Sequence, residues 1–346
     1  MSGLDFRSSK GFSLVELLVA LALSLVIGLA VMQMFLTSKT TYRMQDAMSR
    51  LQENGRFAVN QLASEIRMAG YMGCVRLDEA KVNIMADPAP AGIADLLGTL
   101  IAVRGENNVA SSNEWGASAG TDVLLVHKAV GASMQLTGNI NPNNANIQVA
   151  SNRAGLKQDD TAIISDCTSA DIFRVVNNPT ATADQKTTIT HSSGGNYGSK
   201  LSKVYGKDAE VLQFEAASYY IKETSRKSPG GQAIRALYVK RKQELSSKAA
   251  SETELVEGVQ DLQIEYGLMS GTNTFVDEYR TASTVSDWGK VVSVRFRLLM
   301  QSADNNAVAR SGVAAQSLTF NGASIPADGH LRQEFGSVVA IRNRVR

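Results

Sequence analysis

Cysteine, histidine and proline are all scarce in this chain of 346 residues, and the first two shortages exclude classes of function. Two cysteines, Cys74 and Cys167, are too few for a multi-cysteine metal framework. The three histidines, His127, His191 and His330, show no His-x-x-x-His spacing, and no Gly-x-Ser-x-Gly elbow is present. The sequence therefore predicts no metal, no cofactor and no enzyme activity.

Neither sign of charge is in clear excess, because the chain has 35 basic and 33 acidic residues. Composition therefore does not indicate a nucleic-acid partner. Two small basic clusters, residues 240–242 and the terminal Arg342, Arg344 and Arg346, are predicted to be a solvated strand edge or tail. Aromatic residues make up only 6% of the chain, whereas Gly, Ser, Asn and Thr are plentiful, which favours a loop-rich β domain.

No proline occurs before Pro88, and the longest apolar run lies within that stretch. Residues 12–36 contain a single charge, Glu16, and as a helix they span about 37 Å, enough to cross a bilayer core of about 30 Å. The alternative is a cleaved secretory signal. The apolar core of such a signal is shorter than this run and ends at an Ala-x-Ala-like cleavage site, a pattern that is not present at residues 38–41. Basic residues in the leader favour a cytoplasmic N-terminus and export of the rest.

Residues 10–20, KGFSLVELLVA, explain the carboxylate at the edge of the apolar run. They closely resemble the class III signal of type IV prepilins and type II secretion pseudopilins. The resemblance implies that a membrane peptidase cuts after Gly11 and that the new N-terminal Phe12 is then methylated. Glu16 lies four residues beyond Phe12, so in a bundle of such helices its carboxylate would meet the amine of a neighbouring subunit.

Past Leu36 the pattern becomes amphipathic and predicts a continuation of the same helix. Eight residues at spacings of three and four form an apolar stripe: Met44, Met48, Leu51, Gly55, Ala58, Leu62, Ile66 and Ala69. The polar positions between them include Glu65. We expect one helix over residues 12–69, ending at Gly70 and Gly73. The membrane half lacks the proline common in major pilins and has Gly28 and Gln33 in that region, which fits a minor component.

Beyond Cys74 the helical period is lost and short alternating runs predict strands. The predicted strands are residues 122–128, 147–150, 162–165, 172–177, 187–190, 209–217, 233–242, 262–266 and 292–298. Each alternating run has one apolar and one polar face, which is typical of antiparallel sheets. Residues 105–120, 139–146 and 191–200 are predicted to be loops. The fold class is therefore α+β, with a long N-terminal helix packed on a C-terminal antiparallel sheet domain.

Four stretches resemble the minor pilins called PilW: residues 51–71, 255–267, 292–299 and 338–344. The region between about 75 and 200 resembles no family. A minor pseudopilin of a type II secretion system, which shares the helix and a β domain, is the closest alternative.

Cys74 and Cys167 are predicted to form a disulfide in an oxidising periplasm, with two buried thiols as the alternative. The bridge would close a loop of about 93 residues and attach the sheet to the end of the helix.

The resemblance predicts four segments. They are a leader at 1–11, a transmembrane half-helix at 12–36, an amphipathic half-helix at 37–70 and an exported β-rich domain at 71–346. It implies a minor pilin that primes type IV pilus assembly and sits at or near the filament tip, in a filament used for adhesion and twitching motility. It would reside first in the inner membrane and then in the extracellular pilus.

Implied partners are other minor pilins, the major pilin, the prepilin peptidase, the inner-membrane assembly platform and a tip adhesin. A signal-anchored periplasmic enzyme and a direct ligand-binding adhesin are the remaining alternatives.

Overall fold

The computed structural model describes residues 11–76, 81–87, 100–179, 185–242, 251–269, 275–303, 317–325 and 327–344. Its single long helix, α1, covers Leu14–Arg67. Sixteen strands follow: β1 Lys81–Ile84, β2 Val103–Glu106, β3 Val123–Gln135, β4 Asn146–Val149, β5 Thr161–Ser165, β6 Ser169–Arg174, β7 Thr187–Thr190, β8 Glu210–Lys227, β9 Ala233–Lys242, β10 Ser251–Glu257, β11 Val259–Leu268, β12 Glu278–Thr281, β13 Val291–Gln301, β14 Leu318–Phe320, β15 Ala323–Ile325 and β16 Arg332–Ala340. Two 3₁₀ turns occupy Ala282–Thr284 and Trp288–Lys290.

The helix begins two residues later than predicted because Ser13 is its N-cap and has extended dihedral angles. Its 54 residues make a rod about 81 Å long. At the other end, the carbonyl of Arg67 accepts a hydrogen bond from the Arg342 N–H at 3.1 Å, and the carbonyl of Ala69 accepts one from the Asn343 side chain at 3.2 Å. The C-terminal tail thus satisfies carbonyls that a helix end leaves without partners.

Two sheets form the β domain, and the predicted α+β fold is confirmed. The larger sheet has the order β1-β6-β5-β8-β3-β2, with β9 pairing to the second half of β8 and β10 pairing to β9. The smaller sheet has the order β12-β11-β13-β16. Pairing is antiparallel throughout these two sheets except between β1 and β6. Two further two-stranded sheets pair β4 with β7 and β14 with β15.

Two large apolar clusters and a smaller third one, which includes Trp115 and Tyr220, fill the interior of the described chain. The first joins the upper half of α1 to the facing sides of both sheets, with Leu62, Phe214 and Phe296 among its members. The second lies beneath β4 and β7, includes Phe173 and Tyr205, and contains no residue of α1. The helix therefore packs against only one of these apolar cores, and the part of the domain around β4 and β7 has a separate apolar core.

Several strands match the sequence prediction, and the misses are mostly short. β7 and β9 have the predicted bounds, whereas β8 extends ten residues past 217. β2 lies partly inside the predicted loop 105–120. Its four residues are too few to show an alternating pattern in the sequence, and they form a strand because they pair with β3. The predicted strand 172–177 begins earlier, at Ser169, and ends at Arg174.

Candidate assembly interface

The N-terminal residues singled out by the sequence lie together at the start of α1. Gly11 and Phe12 are exposed and precede the helix, and Glu16 lies in its first turn. The Ser13 N–H donates to Glu16 Oε2 at 3.4 Å, so the carboxylate folds back onto the helix end. A negative charge is favourable there because the first N–H groups of a helix have no internal partner. The preceding residues of the predicted leader lie outside the described part of the chain.

The first half of α1 touches no other part of the described chain. Its large apolar side chains between Leu14 and Leu36 are all exposed. By length and composition the helix is able to cross a membrane. This apolar surface therefore has to be covered by something outside the chain, because water would meet it otherwise.

The second half of α1 packs on the domain through the predicted stripe, starting at Leu51. Leu51, Ala58, Leu62 and Ile66 are buried. Met48 is 40% exposed, so the lower end of the predicted stripe is not covered by the domain. A groove of about 220 Å³ opens there, between the helix and the far ends of strands β10 and β13.

A buried ion cluster under α1 was missed by the sequence prediction. Lys128 Nζ lies 2.5 Å from Glu65 Oε2, and both side chains are only 11–13% exposed. Arg241 lies 3.8 Å from Glu65 and 3.4 Å from Glu215. Burial, and next the charge of Glu65, raise the pKa of the neighbouring Tyr219 hydroxyl. Charges in this setting fix how the helix is oriented on β3 and β9, because each needs its partner.

This cluster corrects two sequence predictions. Glu65 was counted among the polar positions outside the apolar stripe, but it is adjacent to Ile66 and its side chain is buried against the sheet. Residues 240–242 were predicted to be a solvated edge or tail, but β9 lies between β8 and β10, and Arg241 is held by two carboxylates. The one sequence feature that could have indicated this cluster is the position of Glu65 directly before Ile66, a residue of the apolar stripe. That position alone does not distinguish a buried acid from a surface acid.

Cys74 and Cys167 are bonded to each other in the structure, with Cα atoms 4.9 Å apart. Cys74 follows the helix end, and Cys167 lies in the turn between β5 and β6. The turn is held by Asp166, which accepts hydrogen bonds from the Thr168 and Ser169 N–H groups at 2.9 Å. Burial raises the pKa of Asp166, but Lys203 and the turn donors outweigh it and hold the pKa at about 2. The bridge thus joins the base of the helix to a rigid turn.

Asp122 connects the two sheets. Its backbone N–H donates to the Leu262 carbonyl at 2.9 Å, and its carboxylate accepts from the Asn108 and Ile264 N–H groups at 2.7 and 2.8 Å. Burial raises the pKa of Asp122 to about 6, against the opposing effect of these two donors. The sheet junction therefore contains a buried carboxylate whose pKa lies well above the ordinary value for an aspartate.

The three histidines lie apart in the fold. His127 Nδ1 is 3.0 Å from the Ile101 carbonyl, and His330 Nδ1 is 2.8 Å from the Ser302 carbonyl. His191 was predicted to be in an exposed loop, but its ring is fully buried against Phe173, and neither ring nitrogen has a well-formed hydrogen bond to a residue that the structure describes. Within the described ranges, no group of three or more His, Cys, Asp or Glu side chains is arranged to hold a metal ion.

Two family models match the chain. Residues 6–32 match the prokaryotic N-terminal methylation motif, a range that includes Gly11, Phe12 and Glu16. Residues 218–343 match the type IV pilus-assembly protein W family, PilW. The latter range runs from the middle of β8 to the C-terminal tail. It includes two of the four stretches that resemble this family in sequence, and all but the last residue of a third. The helical stretch 51–71 lies outside both matches.

A solved structure, a type IV-like pilin from Thermus thermophilus, is similar at 17% identity, with a TM-score of 0.22. The similarity covers 38% of this chain and 80% of that one. No match to the chain is found among curated proteins.

Proposed function

We propose that this chain, a type IV minor pilin of the PilW kind, works by assembly and not by turnover, and that it helps to prime a type IV pilus. The observation that carries the proposal is the continuous rod Leu14–Arg67. One half of it is seated on the β domain, while its apolar half is bare and starts directly after the Gly11–Phe12 junction. A helix of this form is suited to a membrane before assembly and to a bundle of like helices afterwards.

Cleavage after Gly11 would create the charge that Glu16 needs. In the uncut chain the carboxylate is occupied by the Ser13 N–H of its own helix. After the cut, Phe12 would carry a positive amine, which is methylated without losing its charge. Two opposite charges from neighbouring subunits then neutralise each other in surroundings of low dielectric constant, where either one alone is costly. Glu16 would in this way select the register of the incoming helix.

In this proposal each segment has its own task. Residues 1–11 are removed, 12–36 lie in the membrane or the filament core, 37–70 carry the domain, and 71–346 are exported. The apolar helix and the methylation motif are consistent with a single-pass inner-membrane anchor. The missing proline in the membrane half favours a minor component at or near the filament tip over the repeating subunit.

Partners follow from the same reasoning. The bare apolar helix would contact the helices of other minor pilins and of the major pilin, and the junction at Gly11 would be read by the prepilin peptidase. The assembly platform would extract the subunit from the inner membrane, and a tip adhesin would contact the exported domain. Filament adhesion and twitching motility would depend on this step. The pilin-family matches point to a structural protein rather than to an enzyme.

The test uses two variants in a host that makes the pilus, with N-terminal sequencing of the mature protein. Glu16→Ala is expected to insert and be cut before Phe12, yet to give few or no pili. Leu17→Ala, next to it on the apolar helix, is the matched control and should assemble. Gly11→Ser should leave a precursor of unchanged size.

An N-terminus at Met1 in cells with a working peptidase would contradict the proposal, as would normal piliation by Glu16→Ala. Co-assembly with a secretion system in place of a pilus would favour the pseudopilin alternative.

A further inference from the structure

We propose that β16 is a docking edge, to which another protein of the assembly adds an extended strand. The inference rests on the proposed function for the identity of the assembly and names one of its contact surfaces.

The hydrogen-bond pattern shows which groups of β16 face away from β13. Ile341 N–H donates to the Val292 carbonyl at 2.8 Å, and Ser302 N–H donates to the Leu331 carbonyl at 2.9 Å. The register between the two strands is unbroken from Ser293↔Ala340 to Gln301↔Arg332. In an antiparallel pair, hydrogen-bonded residues alternate with residues whose backbone groups point outward.

The same alternation assigns every residue of the strand. Residues 333, 335, 337 and 339 bond to β13. Glu334, Gly336, Val338 and Ala340 therefore direct their N–H and C=O groups outward, and all four residues are exposed. Within the described ranges these outward groups have no backbone partner. They form a row at a repeat of about 7 Å, two residues apart along the strand.

β16 carries two charged residues, Arg332 and Glu334, near its start, but it lacks the other features that protect edge strands from pairing. Its sequence, RQEFGSVVA, has no proline and no lysine, and its pairing with β13 has no bulge. Val338 is an apolar residue that is 58% exposed. The other edges of the two larger sheets differ: β1, β2 and β12 have four residues each, and β10, SETELVE, carries three glutamates.

The occupant is a strand of a different protein and not a second copy of this chain. α1 and β16 run in the same direction, because Gly55 packs at Phe335 and Arg67 bonds to Arg342 further along both elements. Antiparallel pairing of two β16 edges would therefore point the two helices in opposite directions. Two copies anchored in one membrane cannot meet that way. To pair with the whole row from Glu334 to Ala340, the partner needs a free extended segment of about seven residues, with an apolar side chain next to Val338.

Amide hydrogen exchange at single-residue resolution tests the inference. The samples are the full-length chain in detergent micelles and the same chain purified with its partners from pilus-producing cells. Exchange at Glu334, Gly336, Val338 and Ala340 is expected to slow at least tenfold in the assembled sample. Residues 335, 337 and 339, which are bonded to β13 in both samples, are the internal control and should be slow in each.

Two variants at one position separate backbone pairing from side-chain contact. Val338→Pro removes an outward N–H but no bond to β13, so the isolated chain should keep its fold, whereas partner recovery should fall at least tenfold. Val338→Thr keeps the N–H and should retain recovery within about twofold of the unsubstituted chain. If Val338→Pro does not fold, the exchange experiment decides alone.

Three results would overturn the inference: fast exchange of the outward amides in the assembled sample, equal recovery by the Pro and Thr variants, or protection in the isolated chain through self-association. Failure of the proposed function is distinguished by the N-terminal sequence of the same samples. An uncut N-terminus would contradict pilin processing, and the exchange pattern at β16 would still report whether the edge is paired.

Discussion

The ring of Phe335 on β16 lies against the backbone of Gly55 on α1. A Cβ atom placed on Gly55 would be 2.5 Å from this ring, well inside van der Waals contact. The lack of a side chain therefore lets the helix approach the smaller sheet at this point. The contact lies one turn above Leu51, where the seat of the helix begins. It also fixes the relative direction of α1 and β16, on which the docking inference depends.

We predict that Gly55→Leu lowers the free energy of unfolding by about 1–3 kcal/mol, because the larger side chain overpacks the contact with Phe335. Combining it with Phe335→Ala should recover part of the loss. Urea denaturation of the full chain in detergent measures both. Arg56→Leu, at the exposed neighbouring position, is the control and should change stability by no more than about 0.5 kcal/mol. Additive effects of Gly55→Leu and Phe335→Ala would show that the two residues do not interact.

The Glu65–Lys128 pair should behave as a buried ion pair. Glu65→Ala leaves Lys128 without its closest carboxylate, and we expect a loss of about 3–5 kcal/mol in the free energy of unfolding. The double variant Glu65→Met with Lys128→Met should recover most of that loss, because it removes both charges at similar volume. Thermal denaturation compares the three proteins. A single variant as stable as the unsubstituted chain would mean that the pair is solvated.

The bond between Cys74 and Cys167 should dominate the stability of the helix base. Replacing both by serine opens a loop of 93 residues. By chain-entropy reasoning this costs about 4–5 kcal/mol. Denaturation with and without reductant measures the effect, and the double-serine chain should not respond to reductant. Maleimide labelling of the unreduced, unfolded protein is the independent check, since free thiols there would exclude the bond.

Stability should also depend on pH through Asp122. Its folded-state pKa, about 6, lies above the ordinary value of 3.8, so the folded chain binds this proton more tightly than the unfolded chain does. Lowering the pH from 7 to 4 should therefore add about 2 kcal/mol from this group, and the remainder of its contribution appears only below the unfolded-state pKa. His191 acts in the opposite direction, because burial lowers its pKa and the unfolded chain takes up its proton first.

Asp122→Asn isolates the Asp122 contribution. Its absolute stability will differ, because an amide accepts only one of the two N–H bonds well. The diagnostic quantity is the change in stability between pH 7 and pH 4, compared with that of the unsubstituted chain. The variant should lack the stabilisation on acidification that Asp122 supplies. Parallel pH profiles for the two proteins would place the titration elsewhere.

Local patterns in the sequence predicted elements that are long or strongly periodic. The absence of proline and the unbroken helical stripe gave α1 to within two residues at each end. Alternation gave β7, β9, β11 and β13. Of the four-residue strands, β7 is rich in β-branched residues and was predicted, whereas β2 and β12 were missed because they have too little periodicity to stand out from loops. Their existence depends on pairing with distant partners.

The prediction was weakest for residues whose surroundings come from distant parts of the chain. Glu65 and Arg241 are 176 positions apart, and the residues around each of them do not indicate that the two side chains form an ion pair. His191 has loop-like neighbours in sequence but a buried ring in the fold. Burial of a charged or polar group depends on which helices and strands pack against it. Local sequence periodicity does not show which elements these are.

By itself, the sequence determined the class III-like junction at Gly11–Phe12, the acid at Glu16 and the rod that follows them. Those features depend on residue order and helical repeat alone. Only the tertiary structure decided that Glu65 is an internal ion partner, that Asp122 links two sheets and that β16 is the last strand of its sheet. The reason is physical: burial, ion pairing and strand-edge exposure are relations between segments far apart in the chain, and they exist only once those segments have packed.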